Sequence, residues 1–395
     1  MTCTMLDTAT IEFIKEHRGD DVRTLALQAG RYPTVDMRKA VVQIEGWQHA
    51  REKLPEWAAA EGIIYPPKIS MEQCSSEKTA KYKAKLIGSG KRLADLTGGF
   101  GIDFSYTARG FDEAYYIERS KELCDIATAN FAQLGLNNVK VMNGNSEELL
   151  ATLPHLDWIF VDPARRDGDG RKVVALSDCE PNILELDLLS KAEMAMLKCS
   201  PMLDITMACR QLGCVSSVHI ISVNNECKEL LLILSSNEFS GITTRCVNIL
   251  KDGGVQTFSF TQEEEDLASI SYCSEVGKYL YEPNASIQKA GCPKSLGAHY
   301  HVDKLHPNSH LYTSIEHVHD FPGRTFEIVE VLGFSKADIK MVQSLGKANI
   351  TVRNFPENVQ LLRKRLKLAD GGENYIFATT LNDSSKALIV CKKVE

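Results

Sequence analysis

No C-x-x-C pair occurs among the twelve cysteines of this 395-residue chain, and the cysteines are scattered along its whole length. That excludes a disulfide framework and a Cys-rich zinc module, and makes a reducing cytoplasm the simplest setting. Long apolar runs are missing too. The strongest, Leu230 to Leu234, falls far short of the roughly 20 residues that span a bilayer, and the opening MTCTMLD has no basic stretch leading into an apolar one. The expectation is a soluble, unexported protein with no membrane partner. Positive charge is also in deficit, with a net charge of -7. For the whole chain this argues against nucleic acid, but an average hides domains of opposite sign. Residues 323 to 395 carry 12 Lys/Arg against 8 Asp/Glu, a mildly basic tail on an acidic body.

With 44% hydrophobic and 25% charged residues the chain is neither fibrous nor wholly disordered, and its length implies two or three domains. Residues 7 to 61 carry apolar side chains at helical spacing, punctuated by Gly30 and Pro33, and predict an N-terminal helical domain over 1–87. Ser75 or Ser76 can cap a short helix from Lys78 to Leu86. From Arg92 short apolar runs alternate with helical patterns, which predicts β-α-β units and a mostly parallel sheet over 88–262. The acidic run Glu263 to Asp266 marks a boundary. A Pro-, His- and aromatic-rich stretch follows, and residues 323–395 read as a small α+β module.

The most informative segment is Asp95-Leu96-Thr97-Gly98-Gly99-Phe100-Gly101-Ile102-Asp103, between a strand and a helix. Glycines at such a turn let the backbone approach a ligand, while the helix start supplies free N–H groups. The third glycine of a dinucleotide fingerprint is missing, since Phe104 stands in its place, so a nicotinamide cofactor loses ground. Glu118 closes the next strand, 19 residues beyond Gly99, about the offset at which a carboxylate meets ribose hydroxyls. Asn145 lies in the polar turn Asn143-Gly144-Asn145-Ser146 after the third strand, where an adenine amino group can be read. The fourth strand runs out through Asp162-Pro163-Ala164-Arg165-Arg166.

In this order the elements resemble the class I S-adenosylmethionine-dependent methyltransferases. The resemblance implies a Rossmann-like α/β domain with S-adenosyl-L-methionine as cofactor. It would be held by Asp95, Thr97, Gly98, Gly99, Gly101, Asp103, Glu118, Asn145, Asp162 and Pro163. Asp162 to Arg165 is similar to the D-P-P-Y, N-P-P-Y and D-P-P-R motifs of RNA-modifying methyltransferases. Ala164 replaces the second proline, and Arg165 replaces the aromatic residue on which amino-methylating enzymes stack a flipped base. Asp162 is expected to hold or deprotonate the acceptor, and Arg165 or Arg166 to grip a phosphate or carboxylate. A similar Asp-Pro-x-Arg form occurs among uracil C5 methyltransferases, in which a cysteine after the next strand attacks the base. Cys199 stands at such a place, although a buried small hydrophobe is the plainer reading.

The wider chain resembles a bacterial family of these enzymes with a THUMP-like C-terminal domain. The match runs from Gln73-Cys74-Ser75-Ser76-Glu77 through Ser200-Pro201-Met202-Leu203-Asp204 and Asn224 to Leu230, to Phe321-Pro322-Gly323-Arg324 and Arg353-Asn354-Phe355-Pro356. It implies a ferredoxin-like segment over 272–322, a THUMP-like domain over 323–395, and RNA (tRNA or rRNA) as partner. Arg363, Lys364, Arg365 and Lys367 are the residues offered to RNA phosphates, against the plainer reading of a solvated helix face. Six of the ten histidines fall between His299 and His319, but no cysteine or carboxylate completes a recognised set, so solvated loop histidines and no metal are expected. Methylation of an RNA base, methylation of a small molecule or protein, and RNA binding without catalysis all remain open, as does the oligomeric state.

Overall fold

The computed structural model describes residues 6–165 and 176–394. The chain divides into two compact units, Met1–Ser216 with Leu230–Phe239, and Ser217–Glu229 with Ser240–Glu395. In the first unit a run of helices precedes the sheet: α1 (Thr8–Glu16), α2 (Val22–Leu27), α3 (Met37–Lys53), α4 (Pro55–Ala59), α5 (Lys68–Gln73) and α6 (Glu77–Ile87). Their starts follow from local chemistry. Asp7, Asp21, Asp36 and Ser76 each accept a backbone N–H of the first turn, and Pro55 stands at the first turn of α4, where its missing N–H costs nothing.

Strands and helices then alternate through β1 (Gly90–Asp95), α7 (Ile102–Thr107), β2 (Phe111–Glu118), α8 (Lys121–Gln133), β3 (Val139–Asn143), α9 (Ser146–Thr152) and β4 (Leu156–Val161). The short β5 (Ala164–Arg165) and β6 (Cys179–Glu180) pair with each other, and β7 (Ala192–Cys199) and α10 (Ile205–Leu212) follow. Parallel pairing orders the strands β3-β2-β1-β4-β7, and Leu230–Ser235 of β9 (Glu226–Ser235) runs antiparallel to β7. A parallel sheet covered on both faces needs continuous apolar strands, and Ile159, Phe160 and Val161 are all buried. From β1 the chain winds outward to β2 and β3, then returns to place β4 on the other side. The loops after β1 and β4 therefore part and leave a crevice at the carboxyl ends of the strands.

The N-terminal helices share a core with α7, α8 and the loop after β1. Trp57 and Met71 from α4 and α5 pack with Phe100, Ile102 and Tyr106, and Trp57 Nε1 donates to Ser105 Oγ at 3.3 Å. Burying an indole of this size contributes about 2–3 kcal/mol, so the helices are integral to the floor beneath the loop after β1.

In the second unit, Ser217–Val223 of β8 (Val215–Val223) pairs parallel with β10 (Thr243–Ile249), which is antiparallel to β11 (Val255–Thr261). Helix α11 (Gln262–Leu267) follows, opened by a capping box between Thr261 and Glu264. A separate seven-stranded sheet is ordered β13-β14-β12-β15-β18-β17-β16. It comprises β12 (Tyr279–Pro283), β13 (Asp303–Lys304), β14 (Tyr312–Ser314), β15 (Gly323–Leu332), β16 (Asn349–Arg353), β17 (Asn374–Thr380) and β18 (Lys386–Lys393). Its helices are α12 (Ala285–Ala290), α13 (Pro293–Tyr300), α14 (Lys336–Gln343) and α15 (Val359–Leu366). Within it the buried Glu282 of β12 takes both Arg324 of β15 and Arg353 of β16, a charge that both guanidiniums compensate.

Candidate active site

Apart from Asp103, the described residues assigned to the cofactor from the sequence lie at the carboxyl edge of β1 to β4, or in the turns that follow. Thr97 ties that edge together. Its N–H donates to Asp95 Oδ1 at 2.9 Å, and its hydroxyl accepts the N–H of Asp162 at 2.6 Å, so the tips of β1 and β4 are clamped through one side chain. The loop from Gly98 to Gly101 is shaped by close approaches beneath it. A Cβ on Gly98 would sit 2.2 Å from the Tyr116 ring, and Gly101 has φ +84° with Phe131 at 2.8 Å from a built Cβ. Only glycine satisfies both positions. At Gly99, by contrast, a built Cβ meets nothing nearer than Thr97 O at 3.7 Å, so this residue faces open space.

Glu118 closes β2 and holds the loop from the side. It accepts the Gly99 N–H at 2.9 Å and the Ser120 N–H at 2.8 Å, and the Tyr116 hydroxyl donates to the Gly99 carbonyl. Asn145 is exposed at the start of α9, and its side chain makes no capping bond. Asp162 is half-buried; Pro163 follows it. The backbone of Arg165 is in β5, while its side chain, and Arg166 altogether, lie outside the described residues.

Asp95 is 2% exposed, and its hydrogen bonds all fall on Oδ1, so Oδ2 has no partner among the described residues. Burial pushes this carboxyl well above the usual range, and Asp103, Asp162 and Glu118 nearby push it the same way. Such a group gains from an arriving cation. A carboxyl with a raised pKa contributes stability that is present below about pH 4 and lost as pH rises through its folded value. Asp95→Asn is therefore expected to weaken binding of a cationic cofactor by at least about tenfold, while leaving the apo protein at pH 7 at least as stable as the wild type, since the amide carries no buried charge. Calorimetric titration and thermal melts read the two separately. An apo protein destabilised by several kcal/mol would mean that the carboxylate merely holds the loop.

Asp103 stands differently from its sequence assignment to the cofactor. It is buried in the first turn of α7, where it accepts the Ser75 hydroxyl at 2.7 Å and faces Lys83 Nζ at 3.1 Å and Lys198 Nζ at 3.9 Å. Burial acts to raise its pKa, but the two ammonium groups and Ser75 outweigh it and hold the carboxyl below the ordinary range. Lys198 in turn donates to Asp162 Oδ2. Neither Lys83 nor Lys198 belongs to a sequence motif. The available signal for Lys198 was its register, because Val161 pairs with Leu197 on the neighbouring parallel strand and the next residues along are Asp162 and Lys198.

Burial pushes the Cys199 thiol far above its ordinary value, the opposite of what a nucleophilic cysteine requires. Among the described residues no group of three His, Cys, Asp or Glu side chains is arranged to hold a metal. The histidine-rich stretch is not uniformly solvated: His306 Nδ1 faces Asn354 Nδ2 at 2.9 Å and the Asn308 N–H at 2.9 Å. The four basic residues offered to RNA also differ among themselves. Arg363 reaches the Ala348 carbonyl at 3.1 Å and Asp370 at 2.5 Å, whereas Arg365 pairs with Glu357 and lies over the Phe334 ring. Lys364 and Lys367 are exposed.

A crystal structure of a conjectured methyltransferase from Porphyromonas gingivalis W83 is 35% identical, covers 99% of this chain and 100% of its own, and superposes with a TM-score of 0.88. Two uncharacterized S-adenosylmethionine-dependent methyltransferases, from the CDC 1551 and H37Rv strains of Mycobacterium tuberculosis, are each 25% identical over 302 residues, which is 76% of this chain and 80% of theirs. Residues 279–322 match a ferredoxin-like domain family and residues 323–393 a family described as THUMP domain-like.

The fold and the crevice are those of a Rossmann-like α/β methyltransferase domain followed by ferredoxin-like and THUMP-like parts. The chain belongs to the bacterial class I S-adenosylmethionine-dependent methyltransferases with a THUMP-like C-terminal domain, and S-adenosylmethionine is its cofactor. The residues present suit that group. Asp95 presents a buried carboxylate oxygen without a partner among the described residues, Glu118 sits beside the loop, and the space at Gly99 is open.

Proposed function

We propose that the protein methylates a base of RNA, tRNA or rRNA, with Asp162 at the acceptor. What carries this reading is that one chain joins the crevice at β1 and β4 to a segment of the THUMP-like family. In it Asp95, Thr97, Gly98, Gly99, Gly101, Glu118, Asn145 and Pro163 line the cofactor. Asp103 supports the loop from below through Ser75 and Lys83. Bound S-adenosylmethionine supplies an electrophilic methyl group on a sulfonium. Methyl transfer needs an aligned nucleophile more than a strong base, so the chain's task is positioning. Asp162 takes the acceptor's N–H or O–H as a hydrogen bond and receives its proton as the new bond forms. Thr97 keeps Asp162 at a set distance from the cofactor loop. Arg165 is assigned to a substrate phosphate, as its guanidinium fork suits one. The raised thiol of Cys199 favours this direct route over covalent attack on the base.

The test is transfer of a tritiated methyl group from S-adenosylmethionine to total RNA of a strain lacking the gene. Nuclease-sensitive label that depends on Asp162 supports the reading. Label that survives nuclease transfers the assignment to a protein or small-molecule acceptor. That second reading is favoured by the internal pairing of Arg363 and Arg365, which lowers the basic character of α15. We place the enzyme in the cytoplasm, in keeping with its unpaired cysteine pattern; no helix among the described residues is long and apolar enough to cross a membrane.

Because Arg363 and Arg365 have partners, Lys364 and Lys367 carry the proposed phosphate contacts. Lys364→Ala with Lys367→Ala is expected to weaken RNA binding and flatten the slope of log Kd against log salt by about one per contact removed. Filter binding at several salt concentrations measures this. An unchanged slope makes the α15 face an ordinary solvated one.

A further inference from the structure

The lysine beside Asp162 goes beyond the residues that the sequence or the comparisons assign. Lys198 is only 13% exposed at its side chain, and its ammonium lies between two carboxylates, Asp162 and Asp103. Asp103 is shared with Lys83, which is fully buried, and with Ser75, to whose hydroxyl Lys83 also donates at 3.1 Å. Two ammonium groups and two carboxylates thus form a compensated set that runs from α6 beneath the cofactor loop to the tip of β4. Side chains packed this deeply have few rotamers open to them, and a charged hydrogen bond in a partly desolvated place is stronger than one in water. The set also gives a role to the Cys74-Ser75-Ser76-Glu77 segment. Ser75 holds Asp103, Ser76 caps α6, and Glu77 accepts the Glu56 N–H at 2.8 Å.

The consequence falls on Asp162. Lys198 occupies Oδ2, while among the described residues Oδ1 accepts no hydrogen bond. We propose that Lys198 is a positioning residue for methyl transfer: anchored by Asp103, Lys83 and Ser75, it holds Oδ2 of Asp162 and turns Oδ1 toward the acceptor. The inference rests on the reading of Asp162 as the acceptor-side residue, and it narrows the acceptor to a group with one proton to give. In the transfer the acceptor atom bonds to the methyl carbon as the carbon–sulfur bond breaks, the pair of that bond stays on sulfur, and the acceptor's proton passes to Oδ1. A base nitrogen bearing a single hydrogen, or a hydroxyl, fits this geometry. An exocyclic amine that must be gripped by both hydrogens fits it less well.

A double-mutant cycle on the full-length protein tests the proposal, with Lys198→Met, Lys198→Arg, Asp162→Asn and Lys198→Met/Asp162→Asn. Turnover is read on whichever acceptor takes label, affinity for S-adenosylhomocysteine by calorimetry, and folding by thermal melt. Lys198→Met is expected to lower kcat by about 100-fold while product affinity stays within about threefold, and Lys198→Arg to recover at least tenfold of the loss. In the Asp162→Asn background the Lys198→Met change should cost less than about twofold more, because Lys198 acts through Asp162. Additive losses, a kcat fall matched by lost product affinity or folded fraction, or no recovery by arginine would overturn the inference. If Asp162→Asn itself leaves kcat intact, the acceptor-side reading fails first. If Asp162→Asn disables the enzyme and Lys198→Met does not, only the role of Lys198 fails.

Discussion

Asp162→Ala is expected to lower the rate of methyl transfer by about three orders of magnitude while changing affinity for S-adenosylmethionine by less than about fivefold. The separation follows from which atoms of Asp162 do which task. Its main-chain N–H, bound by the Thr97 hydroxyl, survives the substitution, so β4 stays tied to β1 and the cradle keeps its shape. What is lost is the carboxylate, which meets the acceptor. Glu118→Ala is the control of opposite sign. Its carboxylate accepts the N–H groups of Gly99 and Ser120, so its removal loosens the loop as well as taking away a contact for ribose hydroxyls. Charge-assisted hydrogen bonds of this kind contribute about 1.5–3 kcal/mol, or roughly 10- to 100-fold in cofactor affinity. Isothermal titration with single-turnover rates reads both variants. Equal loss of cofactor binding in the two would sink the division of roles.

Lys83→Met is expected to destabilise the first unit by about 3–5 kcal/mol, a fall in Tm on the order of 10 °C. The size comes from what is left behind. Asp103 stays buried after its partner at 3.1 Å is gone, with Ser75 and the more distant Lys198 as its remaining compensation. The pH dependence supplies the check. In the wild type the carboxyl of Asp103 is held below the ordinary range, so its contribution to stability is present above about pH 4 and lost as pH falls through the lower folded value. In the variant, burial is less opposed, so that contribution shrinks or reverses. The gap between wild type and Lys83→Met should therefore be widest near neutrality and narrow toward pH 4. Denaturant melts across that range measure it. A gap independent of pH would mean that Lys83 contributes by packing its alkyl chain and not by its charge.

The parts of the site legible in the sequence are those in which neighbours along the chain are neighbours in space. A strand that ends in Asp95, a glycine turn and a helix start is a local construction, and Glu118 follows at an offset set by one helix and one strand. Lys198 and Lys83 escaped because their partners are remote: Lys198 meets Asp162 across 36 residues, through a strand pairing that only the sheet reveals. Asp103 was legible as an acidic residue beside the loop, but its direction was not. A one-residue difference on the first turn of α7 decides whether a side chain faces the crevice or the core, and here it faces Ser75. The basic run on α15 divided for the same reason, since helical rotation brings Arg363 to Asp370 and Arg365 to Glu357, and leaves Lys364 and Lys367 in solvent.

By itself the sequence determined the α/β class and the order of the motif-bearing strands, because alternating apolar runs and turn residues are properties of the chain read in one dimension, and the resemblance those ordered motifs carry implied the cofactor. Only the tertiary structure decided which carboxylates share a charge set and which oxygen of Asp162 is occupied. Strand order places residues from four separate segments within a few ångströms, and burial raises the pKa of both buried carboxyls: it prevails at Asp95, which has no cationic partner among the described residues, and is outweighed at Asp103 by two ammonium groups.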